Sequence, residues 1–222
     1  MAAKRIVTID GPSGAGKSTI SRLLAARLGY AYLDTGAMYR AVGFKIEQTG
    51  ANCDDRQALG RLLDSMDLRF KAVGGETRVI LDQEDVSEAI RTPAMSMMAS
   101  RVSAIPVVRE KLTFMQREIG GRGGVVAEGR DMGTVVFPEA AWKFFLDATP
   151  EERSRRRVLQ LKEQGRPVDE KETLAQIIER DRADSSRALA PLQPAPDAVI
   201  IDSSQMTIDE VVAFMAARIA RA

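Results

Sequence analysis

The sequence predicts an α/β fold, a parallel sheet covered by helices on both faces, and three observations predict it. Short, nearly continuous apolar runs recur along the chain, and each closes on a carboxylate. Strands that are apolar on both faces are buried on both sides, as parallel strands are. Stretches with helical spacing separate the runs, the alternation that builds such sheets. Helix-start signals also fall where helices should begin: Thr149-Pro150-Glu151-Glu152 and Thr207-Ile208-Asp209-Glu210 both read as capping boxes, the first with Pro at the first helical position.

Arg5–Asp10 reads as the first strand, being β-branched and followed by Gly11-Pro12. Lys17–Leu28 reads as a helix, with Ile20, Leu23, Leu24 and Leu28 at helical spacing and Gly29 as its stop. Tyr30–Leu33 is a second strand ending in Asp34-Thr35-Gly36, and a helix from about Ala37 to Gln48 stops at Gly50. The grammar returns in Val125–Ala127 before Glu128, Trp142–Leu146 before Asp147, and Ala198–Ile201 before Asp202. Between these halves it breaks. Asp67–Phe70, Val73-Gly-Gly-Glu76 and Arg78–Leu81 suggest an antiparallel hairpin. Short helical pieces are expected around Ser87–Arg91 and Pro93–Ala104, so residues 62–104 read as an insertion. Gly120–Gly124 reads as a flexible loop, and Leu189–Pro196, with three prolines, as a connector.

Composition narrows the chemistry. The 222 residues contain no histidine, which removes Ser-His-Asp and Cys-His catalysis and His-ligated metals. Cys53 is the only cysteine, so no internal disulfide or cysteine metal cluster can form, and one thiol suits a reducing cytoplasm. A net charge of +1 gives no general reason to expect nucleic acid or an acidic membrane. No uncharged run has membrane-spanning length. The N-terminal apolar run meets Asp10 too early for a signal peptide.

Gly11-Pro12-Ser13-Gly14-Ala15-Gly16-Lys17-Ser18, followed by Thr19, has the G-x-x-x-x-G-K-[ST] pattern, and it sits between a predicted strand and a predicted helix. Glycines let consecutive backbone N–H groups turn inward around a phosphate, and the helix start adds its positive dipole end. Lys17 then reaches the β and γ phosphates, and the Ser18 hydroxyl can ligate Mg²⁺. The pattern points to a nucleoside triphosphate and leaves the reaction open. A GTPase would need an N-K-x-D motif, but the sole asparagine, Asn52, precedes Cys53-Asp54-Asp55. A small-molecule kinase fits better than a motor ATPase, which needs more sensor elements. The missing histidine favours a phosphate acceptor: it is largely dianionic at neutral pH and requires cations rather than a base. Arg40, Arg109, Arg130, Arg180 and Arg187 are candidate cations.

Several segments carry a resemblance: Ile9–Thr19, Leu33–Arg40, Ile90-Arg-Thr92, Val108-Arg-Glu110, Glu128–Pro138, Phe145–Ala148, and Glu179-Arg-Asp181 through Ser186-Arg187. By these segments, over nearly its whole length, the chain resembles the bacterial-type cytidylate kinases, a branch of the nucleoside monophosphate kinase family. The resemblance implies a P-loop NTPase fold with a five-stranded parallel sheet. It implies one kinase domain: a core (1–61, 105–149, 190–222), a monophosphate-binding insertion with a small antiparallel sheet (about 62–104) and a short lid (about 150–189). The implied reaction passes the γ-phosphoryl group of ATP to CMP or dCMP, with Mg²⁺ on the ATP, in a cytoplasmic monomer that binds neither nucleic acid nor membrane.

The resemblance also distributes roles. Gly11–Thr19 bind ATP, and Lys17, Arg130, Arg180 and Arg187 act in catalysis. Arg40 and Arg130 take the acceptor phosphate, with Thr35 near it, since an arginine fork suits phosphate. Tyr39 either lines the site or packs within its helix. Ser100, Arg109 and Asp131 read cytosine: a carboxylate accepts from N4, while Arg or Ser serves N3 and O2. Ser100 has a plain alternative as a helix serine bonded to its own backbone. Arg180 and Asp184 belong at the sugar, and Arg187 on the phosphate side. Asp181 and Arg182 lie beside them and can simply pair with each other. Arg153, Arg155, Arg156 and Arg157 fall in the lid with no individual role assigned. Asp10, Asp34 and Glu128 are equal candidates for ordering Mg²⁺ through water. Another acceptor base, or a nucleotide-binding regulator with no acceptor, remain the alternatives.

Overall fold

The computed structural model describes residues 5–74 and 76–221. Residues 1–4, which open the N-terminal stretch, and Gly75 of the expected hairpin turn lie outside the described residues. The chain divides into two compact units: residues 34–119, and the remainder on either side of them.

The larger unit is built on the parallel sheet. Its strands are β1 (Ile6–Asp10), β2 (Ala31–Asp34, whose last residue opens the smaller unit), and the later runs numbered β6 (Val125–Gly129), β7 (Trp142–Asp147) and β8 (Val199–Asp202). Their order is β2-β6-β1-β7-β8. The central strand β1 runs parallel to β6, with Ile6 opposite Val125 and Asp10 opposite Gly129, and parallel to β7, with Asp10 opposite Phe145. Every residue of β1 and β6 is buried, which explains why both are apolar apart from Thr8 and the carboxylates Asp10 and Glu128. Helices α1 (Lys17–Leu28) and α8 (Ile208–Ala220) pack together over a core containing Val7, Ile9, Leu24, Phe144, Leu146 and Met215.

Both expected stops and starts are visible here. Gly29 ends α1 in the left-handed conformation (φ 66°), and Thr207 with Glu210 forms a complete capping box on α8. Thr149 caps α6 (Pro150–Glu163) by accepting from the Glu152 N–H, but the reciprocal half of that expected box is missing. The Glu152 carboxylate turns instead to Arg155 and Arg156, at 2.8–2.9 Å. α7 (Glu170–Ser186) packs back along α6.

The smaller unit holds α2 (Thr35–Thr49), α3 (Arg56–Ser65), the strands β3 (Leu68–Val73), β4 (Glu76–Leu81) and β5 (Glu84–Asp85), α4 (Pro93–Val102) and α5 (Pro106–Gly120, ending at the boundary). β3, β4 and β5 form the small antiparallel sheet, and α2 packs against α4. Sequence and structure differ here: neither α3 nor α5 is among the expected elements, and three further places depart from the reading. α2 begins two residues early because Asp34 accepts from the Ala37 N–H and caps it. The helical piece expected at Ser87–Arg91 is a turn, since the Ser87 hydroxyl accepts from the Val79 N–H and donates to Asp85. A third strand, β5, follows Asp82-Gln83, both at positive φ (50° and 76°), a two-residue hairpin turn that carries no glycine to advertise it. Asp82 is fastened there by the Asp67 N–H (2.9 Å) and Lys45 (2.7 Å).

Candidate active site

In the larger unit the site grows out of the C-terminal end of β1. Gly11 follows at φ 147°, and a Cβ there would stand 2.0 Å from the Leu146 carbonyl oxygen, so the chain passes between strands only as glycine. The loop closes on Gly16 (φ 90°), which caps α1 without a side-chain hydrogen bond. The first N–H groups of α1 are thereby left to an anion.

Lys17 is buried and donates to the Pro12 carbonyl at 2.5 Å, lying back across the loop. Burial, then the Arg130 and Arg180 guanidiniums, push its ammonium down to about 7, against the opposing pull of Glu128 and Asp10. A polyphosphate would reverse that balance, because it brings negative charge to a cluster crowded with cations.

The arginines around the loop fall into two groups. Arg153, 3% exposed, points its whole fork inward. Nε donates to the Ala148 carbonyl (2.8 Å), Nη1 to the Ser13 carbonyl (3.0 Å), and Nη2 pairs with Asp181 (2.6 Å). Asp181 therefore serves Arg153 and not its neighbour Arg182. Arg156 donates to the Ser203 carbonyl (2.7 Å) and hydroxyl, Arg155 is an exposed partner of Glu152, and Arg157 donates to Gln160. Of the four arginines left unassigned, Arg153 reaches the phosphate loop, through the Ser13 carbonyl.

The second group joins α7 to the segment after β6. Arg180 donates to the Ser13 hydroxyl at 3.2 Å, so the loop serine is held at both its side chain and its carbonyl. Asp184, 3% exposed, accepts from Arg130 Nε at 2.9 Å and lies 3.9 Å from Arg180 Nε. Arg187 donates to the Ala190 carbonyl (2.6 Å) and lies 3.8 Å from buried Asp131. Arg130, Arg180 and Asp184 thus form one network tied to the loop through Ser13, and the Arg187–Asp131 pair adjoins it through the Arg130-Asp131 peptide. Asp184 is buried in this network and not on an exposed helix face.

The smaller unit carries the other sequence-derived residues. Arg40 pairs with Asp34 at 3.1 Å, and its buried Nε meets no hydrogen-bond partner among the described residues. Thr35 is buried one residue after Asp34. Tyr39 is 7% exposed, and the Arg109 guanidinium sits 5.9 Å from the centre of its ring. Arg109 also donates to the Ser103 carbonyl, and the Ser103 hydroxyl to the Ser100 carbonyl. Tyr39 is therefore packed and serves as a platform for Arg109. Ser100 stands one short link from the same group.

The three strand-end carboxylates are not equivalent. Asp10 accepts from the Met132 and Gly133 N–H groups, each at 2.8 Å. Asp34 is occupied by α2 and Arg40, while Glu128 accepts a hydrogen bond from the Tyr32 hydroxyl. Ser18 is exposed on the first turn of α1, and its hydroxyl is the hard oxygen donor that Mg²⁺ prefers.

The family model described as cytidylate kinase matches residues 7–221. The cytidylate kinase of Syntrophotalea carbinolica is 53% identical over 206 residues, 93% of this chain and 88% of that protein. That of Pelotomaculum thermopropionicum is 51% identical over 215 residues, 96% of this chain and 95% of that one. Among solved structures, a shikimate kinase from Bacteroides thetaiotaomicron superposes with a TM-score of 0.51 at 17% identity, covering 98% and 99% of the two chains; this likeness is one of fold.

Proposed function

The chain belongs to the cytidylate kinase family, and from that membership we propose that it transfers the γ-phosphoryl group of ATP to CMP or dCMP, releasing ADP and CDP or dCDP. The observation that carries this reading is the network beside the phosphate loop. Arg130 and Arg180 share Asp184, Arg180 also holds Ser13 of a loop shaped for a triphosphate, and Arg187 pairs with Asp131, the neighbour of Arg130; all three arginines are buried or half-buried.

The chemistry suits these residues. Two anionic reactants must be held in line, and the dianionic acceptor needs no base. Lys17 supplies charge where the transferred group becomes negative. Arg130 meets the acceptor phosphate beside it, with Arg187 on the same side. Arg40 meets that phosphate as well, and its unsatisfied Nε supports an anionic ligand. Thr35 stands next to the phosphate. Asp131 accepts from cytosine N4, and Arg109 with Ser100 serves the ring acceptors. Asp184, with Arg180, holds the sugar hydroxyls. Mg²⁺ bound with ATP, through Ser18, would neutralise the β and γ phosphates. α6, α7 and the link between them act as the lid that excludes water. No helix among the described residues is long and apolar enough to cross a membrane; we place the enzyme in the cytoplasm, as a monomer.

The test is ADP release coupled to a reporter, run against CMP, dCMP, UMP, AMP and GMP. ADP release that depends on CMP or dCMP supports the proposal. ATP binding without acceptor-dependent turnover would favour a regulator instead, and preference for another monophosphate would move the assignment to a different base.

A further inference from the structure

Asp10 is the last residue of β1 and directly precedes the phosphate loop, within reach of the charge on Lys17, yet its hydrogen bonds go to a distant segment. Its two oxygens accept from the Met132 and Gly133 N–H groups, at 2.8 Å each. Those amides open a five-residue π-helical turn, Met132–Val136. Inside the turn, Val135 and Val136 donate back to the Asp131 carbonyl and Phe137 to that of Met132. Its first N–H groups have no partner within such a turn, and Asp131, at the capping position, makes no side-chain cap. A neighbouring strand therefore supplies the cap.

Room at this point is minimal. A Cβ on Gly133 would stand 3.0 Å from the Thr8 hydroxyl and 3.2 Å from Lys143 Cδ. The backbone is thus pressed onto β1 and held there by both oxygens of one carboxylate. Burial pushes the Asp10 carboxyl up to about 7, against the two N–H donors that pull it down. A buried carboxylate is expensive to keep, and nothing about a strand end demands one.

We propose that Asp10 is a positioning residue for base recognition: by capping the Met132–Val136 turn from β1, it fixes the backbone that carries Arg130 and Asp131 and so sets where the Asp131 carboxylate meets the acceptor base. The specificity half of this inference rests on the assignment of Asp131 to cytosine; the capping half does not. It gives the strand-end carboxylate a task other than ordering a metal. It also ties the residue before the triphosphate loop to the residues that choose the acceptor.

The test uses the full-length enzyme with Asp10→Asn, Asp10→Ser and Asp131→Ala, and three measurements. Asparagine keeps one acceptor and turns an NH₂ donor toward the second N–H; serine keeps one weaker acceptor. Hydrogen exchange should show Met132 and Gly133 losing protection in either Asp10 variant, while the amides of residues 11–19 exchange as in the parent. The CMP-over-UMP ratio of kcat/KM should fall about tenfold, the size of one lost charge-assisted hydrogen bond. ATP affinity, measured by direct titration, should change less than about threefold, a difference too small for the loss of such a bond. Combining Asp10→Ser with Asp131→Ala should lower the ratio no further than Asp131→Ala alone.

If Asp131→Ala itself leaves the ratio unchanged, the cytosine assignment fails, and hydrogen exchange still judges the cap. If Asp131→Ala shifts the ratio but neither Asp10 variant does, the positioning role is overturned. ATP affinity falling with the ratio intact would overturn it too, placing Asp10 in the service of the phosphate loop. A variant too unstable to assay is replaced by the other. Should both unfold under assay conditions while Asp131→Ala folds, Asp10 is a stability residue and the proposal is wrong.

Discussion

Replacing Arg153 with methionine keeps the length and apolar stem of the side chain but removes its fork. Three acceptors lose their donor at once: the Ala148 carbonyl, the Ser13 carbonyl and Asp181. Removing one partner of a buried ion pair costs about 3–5 kcal/mol. Asp181 retains 21% of its side-chain exposure and can rehydrate, so the low end, about 3 kcal/mol, applies. For a chain of this size each kcal/mol moves Tm by about 2–4 °C, which predicts a fall of about 6–12 °C. Ser13 would lose the bond to its carbonyl and keep the one to its hydroxyl, so ATP affinity should weaken by about tenfold, one charge-assisted bond. Calorimetric melting and ATP titration are the assays. The second mutation Asp181→Asn should recover part of the lost Tm, because it removes the stranded charge. Suppose instead that Arg153→Met melts within 2 °C of the parent, a change of under about 1 kcal/mol, while kcat collapses. The argument for a brace then fails, and Arg153 belongs to the triphosphate as a lid residue.

Other substitutions probe the remaining assignments. Lys17→Ala should leave melting close to the parent and reduce kcat by roughly 10²–10³-fold, as loss of one transition-state charge contact does; near-normal turnover would sink the phosphate-loop assignment. Asp184→Asn should raise the KM for CMP by roughly tenfold, a loss of about 1.4 kcal/mol, with the ATP KM moving far less; the reverse pattern would put Asp184 on the ATP side. Glu152→Gln tests a linkage. Hydrogen bonds from Arg155 and then Arg156 hold the Glu152 carboxyl down at about 2. A depressed carboxyl stabilises the fold above its unfolded value and loses that contribution as pH falls through the folded one. The parent should therefore exceed the variant by about 1–2 kcal/mol in urea unfolding at pH 7, a figure reduced because Arg155 is largely exposed. The gap should narrow at pH 3; a gap that stayed constant would remove the ion pairs as its cause.

The sequence made some of this legible, and the reason lies in the range of the interactions. The stop of α1 at Gly29, the box at Thr207 and the loop at Gly11–Ser18 are local, written within a few residues of where they act. β1, β6 and β7 could be found because burial on both faces leaves an apolar run, and the edge strands β2 and β8, though partly exposed, keep the same pattern of an apolar run closing on a carboxylate. α3 and α5 lie outside the sequence reading although signals for both are present: Leu59 with Leu63 and Val108 with Leu112 are buried at helical spacing, and Asp55 caps α3. Side-chain partners were the least visible. Arg153 finds the carbonyl of Ser13 140 positions away, and Asp10 finds amides more than 120 positions away. A long arginine can reach many acceptors, and which one it takes is settled only once the sheet brings β1 beside β6 and β7. The motifs that carry the resemblance singled out Arg130, Asp131, Arg180, Asp184 and Arg187 as candidates; the ion pairs of Asp184 with Arg130 and Arg180, and of Asp131 with Arg187, did not follow from residue type.

The placing of β1 also bears on how the molecule comes into being. This strand is made first, yet it lies in the middle of its sheet, and its two neighbours are residues 125–129 and 142–147. At ribosomal speeds of about 5–20 residues per second, the interval before both exist is roughly 7–28 s. For that time Ile6, Val7 and Ile9 have no strand to pair with, and the exit of the chain outpaces the assembly of its own core. Residues 34–119 have no such wait. Their hairpin pairs Leu68–Val73 with Glu76–Leu81, a few positions apart, and α2 meets α4 within the same stretch. Low sequence separation favours early closure. The order of maturation therefore inverts the order of synthesis: the middle of the chain can settle on its own schedule, while the loop at Gly11 acquires its shape only after Leu146, whose carbonyl it skirts, has emerged.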